Sequence, residues 1–267
     1  MNPAVHPTIT SFDRTPAHHS RATRSVFLPK EHGSWSLALE PIIFGLLIVP
    51  SQAGIALALS AAAAFFIRRP MKATLKTQDR ASILALATLS AAALFGFTQA
   101  VLLGGIAPLW PLLPAIPMGA LYLYWDRENE GRAAAAELIG SGLFALVPAV
   151  MATLAGHDAI VALSLTALML TRSAPTILTV RTWLRRRKGQ SASRFSAVAA
   201  TVLALATITL LTQSGHTPVI AHALVLLSCL RLTLLFARTP DWSAKRIGMG
   251  EAAFGAIYIL MISYSYY

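Results

Sequence analysis

The sequence predicts an all-α fold: a polytopic membrane helix bundle of nine transmembrane helices, N-terminus inside and C-terminus outside. Three observations predict it. Of the 267 residues, 55% are hydrophobic and 12% charged, against about 25% charged in a soluble domain, so too little polar surface exists to cover such a core in water. Nine apolar stretches follow one another along the chain. The ten segments outside them carry 4, 0, 5, 0, 2, 0, 6, 0, 3 and 0 Lys and Arg residues. Cytoplasmic loops carry the excess of Lys and Arg in membrane proteins, so this alternation sets the orientation and counts the crossings.

Each segment can be justified in turn. Residues 1–28, rich in Pro, Ser, Thr, His and Arg and without an apolar run, read as a disordered cytoplasmic tail with no cleavable secretory signal. Residues 29–267 read as a single transmembrane domain. The first span runs from near Ser34 to about Pro50 and the second from Gln52 to Ile67, both at the short end of the ~17–25 residues a crossing needs. A basic loop from Arg68 to Arg80 precedes the third span, Ser82 to Leu103. The fourth, Ile106 to Trp125, carries Pro108, Pro111, Pro114 and Pro117 in its first half. Prolines there free backbone carbonyls that a neighbouring helix or water must satisfy. The fifth span is Ala133 to Ala155 and the sixth Ala159 to Val180, followed by the most basic loop, Arg181 to Arg194. The seventh covers Phe195 to Leu211, the eighth Pro218 to Phe236, and the ninth ends in Tyr264, Tyr266 and Tyr267. Trp35, Tyr124, Trp125, Trp183 and Trp242 fall near span ends, as interfacial aromatics do. The lone cysteine, Cys229, excludes an intrachain disulfide.

The net charge of +11 sits in juxtamembrane loops, where topology and anionic lipid headgroups account for it. No basic module with interleaved aromatics exists, so no nucleic-acid partner is expected. The expected setting is a bacterial inner membrane, with membrane lipids as the immediate partners. Five ionisable residues fall within the apolar spans: Glu40, Glu137, Arg172, Arg231 and Glu251. Helical rise places all five in the cytoplasmic half of the bilayer, where an unpaired charge costs about 2.5–3.5 kcal/mol. Glu40, Glu137 and Arg172 are expected to meet inside the bundle. The five charges read either as an interhelical salt-bridge network or as a polar cavity open to the cytoplasm, with Glu251, at the start of the ninth span, the one most able to reach outward toward water. Arg172, Thr176 and Thr179 recur at i, i+4 and i+7, a polar stripe interrupted by Pro175 and read as facing an interior polar cavity.

The first span opens with Pro29-Lys30-Glu31-His32-Gly33-Ser34-Trp35, followed by Glu40-Pro41. This string resembles the opening signature of the YwiC-like family of bacterial integral membrane proteins. The resemblance continues in Arg68-Arg69-Pro70, in Arg132 with Glu137-Leu138-Ile139-Gly140, and in Val180-Arg181-Thr182-Trp183. It implies an architecture and carries no established activity with it. At the level of topology, nine spans and large polar loops after spans two and six are similar to the UbiA-type intramembrane prenyltransferases. Those enzymes hold magnesium-bound diphosphate on Asp-rich motifs in both loops. Here the first loop has one acid, Asp79, and the second has none, so a magnesium–diphosphate site is not expected. Asp126 and Glu130, at i, i+4 after span four, read as solvated juxtamembrane charge.

These residues define an expected binding region at the cytoplasmic mouth: Glu31, His32, Glu40, Arg68, Arg69, Arg132, Glu137, Arg172 and Arg181. Neither a metal site nor a cofactor is called for, and no catalytic residue stands out. Arginine forks hold phosphate oxygens directly, so the leading reading is binding or processing of an anionic amphiphile, an isoprenoid or lipid phosphate, without magnesium. Two alternatives remain open at this stage: a small-solute transporter, and a non-catalytic partner in a membrane complex. Enzymatic activity and oligomeric state stay undecided.

Overall fold

The computed structural model of the protein describes residues 32–128, 133–238 and 242–267. The tail 1–28, Glu31, Glu130 and Arg132 lie outside these, and of His32 the backbone alone is described, at the start of the first helix. Every element among the described residues is helical: α1 (His32–Ile48), α2 (Gln52–Thr77), α3 (Arg80–Gly104), α4 (Ala115–Arg127), α5 (Ala134–Ala145), α6 (Val147–Leu154), α7 (Ala159–Arg187), α8 (Phe195–Gln213), α9 (Val219–Arg238) and α10 (Ala244–Tyr264), with a 3₁₀ turn Ala107–Leu112 before α4. Seven segments are long and apolar enough to cross a membrane: α2, α3, α5 with α6, α7, α8, α9 and α10. The apolar part of α1, Trp35–Ile48, is shorter, and α4 has 13 residues.

Proline accounts for the interruptions. Pro148 at the start of α6 has no N–H to continue the ladder from α5. The proline-rich stretch before α4 forms the 3₁₀ turn, and the Pro108 carbonyl accepts a 2.6 Å hydrogen bond from Thr153 Oγ1 of α6. The freed carbonyl is thus satisfied by a neighbouring helix, as the sequence requires.

Two helices outrun their expected ends. α2 continues past Ile67, through Pro70, to Thr77, and α7 past Val180 to Arg187. Cations in a last helical turn are favoured by the helix dipole, and both extensions end in them: Lys76 in α2, Arg185, Arg186 and Arg187 in α7. Much of each basic loop is therefore helix, which puts Arg68 and Lys72 one turn apart on α2. Asp79 caps α3, accepting from the Ser82 N–H at 2.8 Å, from Ser82 Oγ at 2.7 Å and from Thr77 Oγ1 at 2.8 Å. The hydrogen bonds from Ser82, then that from Thr77, hold its carboxyl down at about 2. The single acid of that loop is committed to a helix end.

α7 is the central helix, with 67% of its apolar window buried against 17% for α3 and for α8. It packs on α5, α6, α8 and α9 and touches α1 and α10. α2 and α3 pair most extensively, drawn together at Gly96, where a Cβ would lie 2.6 Å from the Ala56 carbonyl oxygen. α1 lies against α10. Phe44, Met151, Leu165, Leu168, Ile208 and Tyr258 fill the core, while Leu84, Leu94, Phe95, Leu203 and Leu210 of α3 and α8 point outward. Large apolar side chains in that number on an outer face suit hydrocarbon rather than water.

Candidate functional site

The charged ends of α2, α4, α5, α7, α9 and α10 collect at one end of the bundle, and ion pairs between them show how the charge is arranged. The deepest group joins four helices. Arg172 of α7 is 2% exposed. Its Nη2 lies 3.5 Å from Glu40 Oε1 of α1 and donates to the Glu251 carbonyl of α10 at 2.7 Å. Its Nη1 donates to Thr176 Oγ1 at 2.9 Å and lies 3.4 Å from Glu251 Oε2. Arg231 of α9 closes the group, with Nη2 2.5 Å from the same Glu251 oxygen. The Phe254 ring is the floor for both guanidinium groups, 5.3 Å from Arg172 and 4.3 Å from Arg231. Two arginines and two glutamates make a cluster with no net charge, in the only form in which a low-dielectric interior tolerates such groups.

Local sequence explains the convergence. Arg172, Thr176 and Thr179 are all buried on one face of α7, so the polar stripe points inward. Pro175 removes the donor that would otherwise bond the Thr171 carbonyl, and Pro41 follows Glu40 in α1. On α10 the spacing Glu251, Phe254, Gly255 and Tyr258 gives one face. Gly255 is required there, because a Cβ would overlap the Glu40 carboxylate. Tyr258 donates to the Leu168 carbonyl at 3.1 Å, fixing α10 against α7 one turn beyond.

Two further groups lie nearer the charged end. Glu137 of α5 pairs with Arg181 of α7 at 2.8 Å. Arg181 follows Arg172 by nine residues, about 13 Å along the helix, so Glu137 does not join Glu40 and Arg172 as expected. Depth read along separate helices did not fix which charge faces which. Asp126 of α4 accepts from Arg68 Nη2 and Lys72 Nζ of α2, both at 2.7 Å, and Arg68 also lies 5.6 Å from the Tyr122 ring centroid. Asp126 is 5% exposed. Burial raises its pKa, but the hydrogen bonds from Arg68 and Lys72 outweigh that and hold it low. It is therefore a buried clamp between α2 and α4, not the solvated charge expected. Glu251, the charge most able to reach outward from its place in the sequence, lies at the centre of the deep cluster.

Of the expected binding residues, Glu40 and Arg172 share the deep cluster, Glu137 and Arg181 form a separate pair, and Arg68 is held by Asp126. Arg69 stands beside Arg68 with a buried Nη1 that has no hydrogen-bond partner. Sequence reasoning did not count Arg231, Glu251, Phe254 or Gly255 among the binding residues. The i, i+3, i+4 spacing from Glu251 was the available signal for the last three.

The guanidinium groups are not saturated. Arg172 Nε and Arg231 Nε are both buried without a hydrogen-bond partner. An unmet N–H in a buried site costs about 1–3 kcal/mol, more on a charged group, and this cluster holds two donors that no described residue uses.

Comparison with protein families matches residues 28–152 to the family described as YwiC-like protein. The match holds Glu40, Arg68, Asp126 and Glu137 and ends before Arg172, Arg181, Arg231 and Glu251. No curated protein and no solved structure matches the chain.

Proposed function

Proceeding from a chain that is YwiC-like over residues 28–152, we propose that this integral membrane protein binds the headgroup of an anionic amphiphile, an isoprenoid or lipid phosphate, at the Arg172–Arg231 cluster. The amphiphile approaches from the cation-rich end, and its chain lies among the apolar helices. The observation that carries this reading is the pair of buried, unpartnered Nε–H donors on Arg172 and Arg231. Arginine offers phosphate oxygens paired N–H donors in a fixed fork, so no magnesium is needed. The acid composition of the loops supports the same view, since Asp79 is spent on capping α3 and Asp126 on Arg68 and Lys72.

In this reading α1 and α4 cross the bilayer with the seven longer segments, giving nine passes in a bacterial inner membrane. The N-terminus is cytoplasmic and the C-terminus external. The loop-charge alternation supports it, and a reporter fused after Tyr267 tests it: activity on the cytoplasmic side overturns the odd count. The UbiA-like arrangement enters the proposal as loop placement alone, with arginine in place of metal-bound carboxylate.

The binding test is thermal stabilisation of the detergent-solubilised protein by an isoprenyl phosphate against the matching isoprenol, with EDTA or magnesium. Stabilisation by the phosphate alone, unchanged by EDTA and weakened in Arg231→Lys, is expected. Strict dependence on magnesium, or no difference between phosphate and alcohol, overturns it. Transport is the second reading, favoured by proline in two of the four helices that bear the charges, Pro41 beside Glu40 and Pro175 near Arg172. Interrupted helices with buried charge are a feature of transporter sites. Net uptake of the phosphate into proteoliposomes, as opposed to saturable binding, separates the two.

A further inference from the structure

The deep cluster is electrically balanced before any ligand arrives: Arg172 and Arg231 against Glu40 and Glu251. A monoanionic headgroup seated on the two arginines leaves one uncompensated negative charge in a site buried from water, and such a charge is costly. Either a carboxylate leaves or a proton enters. The packing leaves little room for the first. Glu251 Oε2 is held by both arginines, at 2.5 Å from Arg231 and 3.4 Å from Arg172, and Arg172 Nη2 donates to the backbone carbonyl of the same residue. The Glu40 carboxylate occupies the space that a side chain at Gly255 would take.

The two acids are not held alike. Among the described residues Glu40 has one ion pair, its 3.5 Å contact with Arg172, and a hydrogen bond from Ser36 of its own helix. The charged and titratable groups facing it come from α7 (Arg172), α10 (Glu251 and Tyr258) and, through Glu251, α9 (Arg231). The Tyr258 hydroxyl already donates to the Leu168 carbonyl. α2, α5 and α6 also pack on α1 but give Glu40 no ion pair among the described residues. Glu40 therefore loses least by becoming neutral, and a neutral carboxyl suits its seat on Gly255.

We infer that binding of a monoanionic headgroup at Arg172 and Arg231 is accompanied by protonation of Glu40, so that the anion and a proton enter the site together. The step balances: the headgroup brings one negative charge, one proton passes from cytoplasmic water to a Glu40 oxygen, and the cluster remains neutral. This rests on the amphiphile reading above and adds to it a second bound species, H⁺. By linkage, proton uptake on binding makes affinity fall with rising pH, by about tenfold per pH unit where uptake is complete.

The test uses the full chain in neutral detergent and lysophosphatidylglycerol as probe, because its phosphodiester keeps one negative charge across the whole pH range used. Lysophosphatidylcholine is the zwitterionic control. Calorimetry in buffers of different ionisation enthalpy counts protons taken up from pH 5.5 to 8. The wild type is expected to take up protons on binding, approaching one per probe toward the alkaline end of the range, with affinity declining by up to about tenfold per pH unit there. Glu40→Gln is expected to bind with no proton uptake and no pH slope, whereas Asp126→Asn, outside the cluster at the α2–α4 contact, keeps both. Saturable binding that Arg231→Lys weakens, but without proton uptake or with uptake unchanged in Glu40→Gln, overturns the coupling and leaves the amphiphile reading standing. Absence of binding by the wild type at every pH overturns both.

Discussion

Two charged groups in this protein use the same side-chain types in opposite ways. At the deep cluster Arg172 is 2% exposed, and the acids around it are buried with it. At the α2–α4 clamp the acid Asp126 is 5% exposed, while its partners Arg68 and Lys72 are 42% and 44% exposed. A cation with one end in water keeps most of its hydration and binds a carboxylate as a convenience. A cation sealed among helices exists only because its partners are there. The difference teaches where structure and function are coupled. At the clamp charge joins two helices. At the deep cluster it joins four helices around a sealed cation.

The sharpest way to break the contrast is to remove the buried cation. Arg172→Ala leaves Glu40 and Glu251 to share Arg231, and stripping one partner from a buried ion pair costs about 3–5 kcal/mol. A large loss of midpoint in thermal or denaturant unfolding in detergent is expected. Arg172→Met combined with Glu40→Gln removes one charge of each sign, so the double variant is expected to lose clearly less than the two single losses combined. Additive losses would show that Glu40 and Arg172 do not act as a unit.

Packing gives the next effect. Gly255→Ala places a methyl group where the Glu40 carboxylate lies, and overpacking of this kind costs about 1–3 kcal/mol. Glu40→Ala vacates that space, so Gly255→Ala on the Glu40→Ala background is expected to be nearly neutral. An equal loss on both backgrounds would place the clash elsewhere.

How much of this was legible in the sequence follows from what periodicity measures. The all-α membrane character, the chain order of the helices and the inward Arg172–Thr176–Thr179 stripe could be read, because hydropathy and i, i+4 spacing are properties of one helix at a time. The partners could not. Glu137 and Arg172 have similar depth counted along their own helices, yet the facing of α5 and α7 gives Glu137 to Arg181. Glu251 begins an apolar stretch and so looked the charge most able to reach outward, but its helix starts at Ala244 and carries it inside. Asp126 was read as solvated for a related reason: the apolar run of α2 ends at Ile67 while the helix goes on to Thr77, bringing Arg68 and Lys72 to it.

The clamp offers a smaller effect with a pH signature. Asp126→Asn is expected to cost about 1 kcal/mol near neutrality, since its partners are largely in water. Its carboxyl is held below the ordinary value of 3.8, so its contribution is present above that pH and is lost as pH falls through the lower, folded value. The wild type should thus converge on Asp126→Asn below pH 3.8, in unfolding midpoints followed down the acid limb. A gap between them that persists at the acid end would assign the loss to packing.

The smallest effect is expected at Glu137 and Arg181, and it sharpens the comparison from the other side. Their 2.8 Å contact is within 0.1 Å of the 2.7 Å contacts at Asp126, but both side chains keep a share of solvent, 36% for Glu137 and 26% for Arg181. Short distance alone would rank this pair above the 3.5 Å contact between Glu40 and Arg172. Exposure reverses the ranking, because an ion pair with access to water contributes about 0–1 kcal/mol and is screened by salt. Glu137→Gln is therefore expected to shift the unfolding midpoint slightly at low salt and not measurably at 0.5 M sodium chloride, while the loss in Arg172→Ala persists at both. A loss at Glu137 that rivals the one at Arg172 and survives salt would mean that α5 and α7 close over this pair in the bilayer, and that the sealed region extends outward from Arg172 to Arg181.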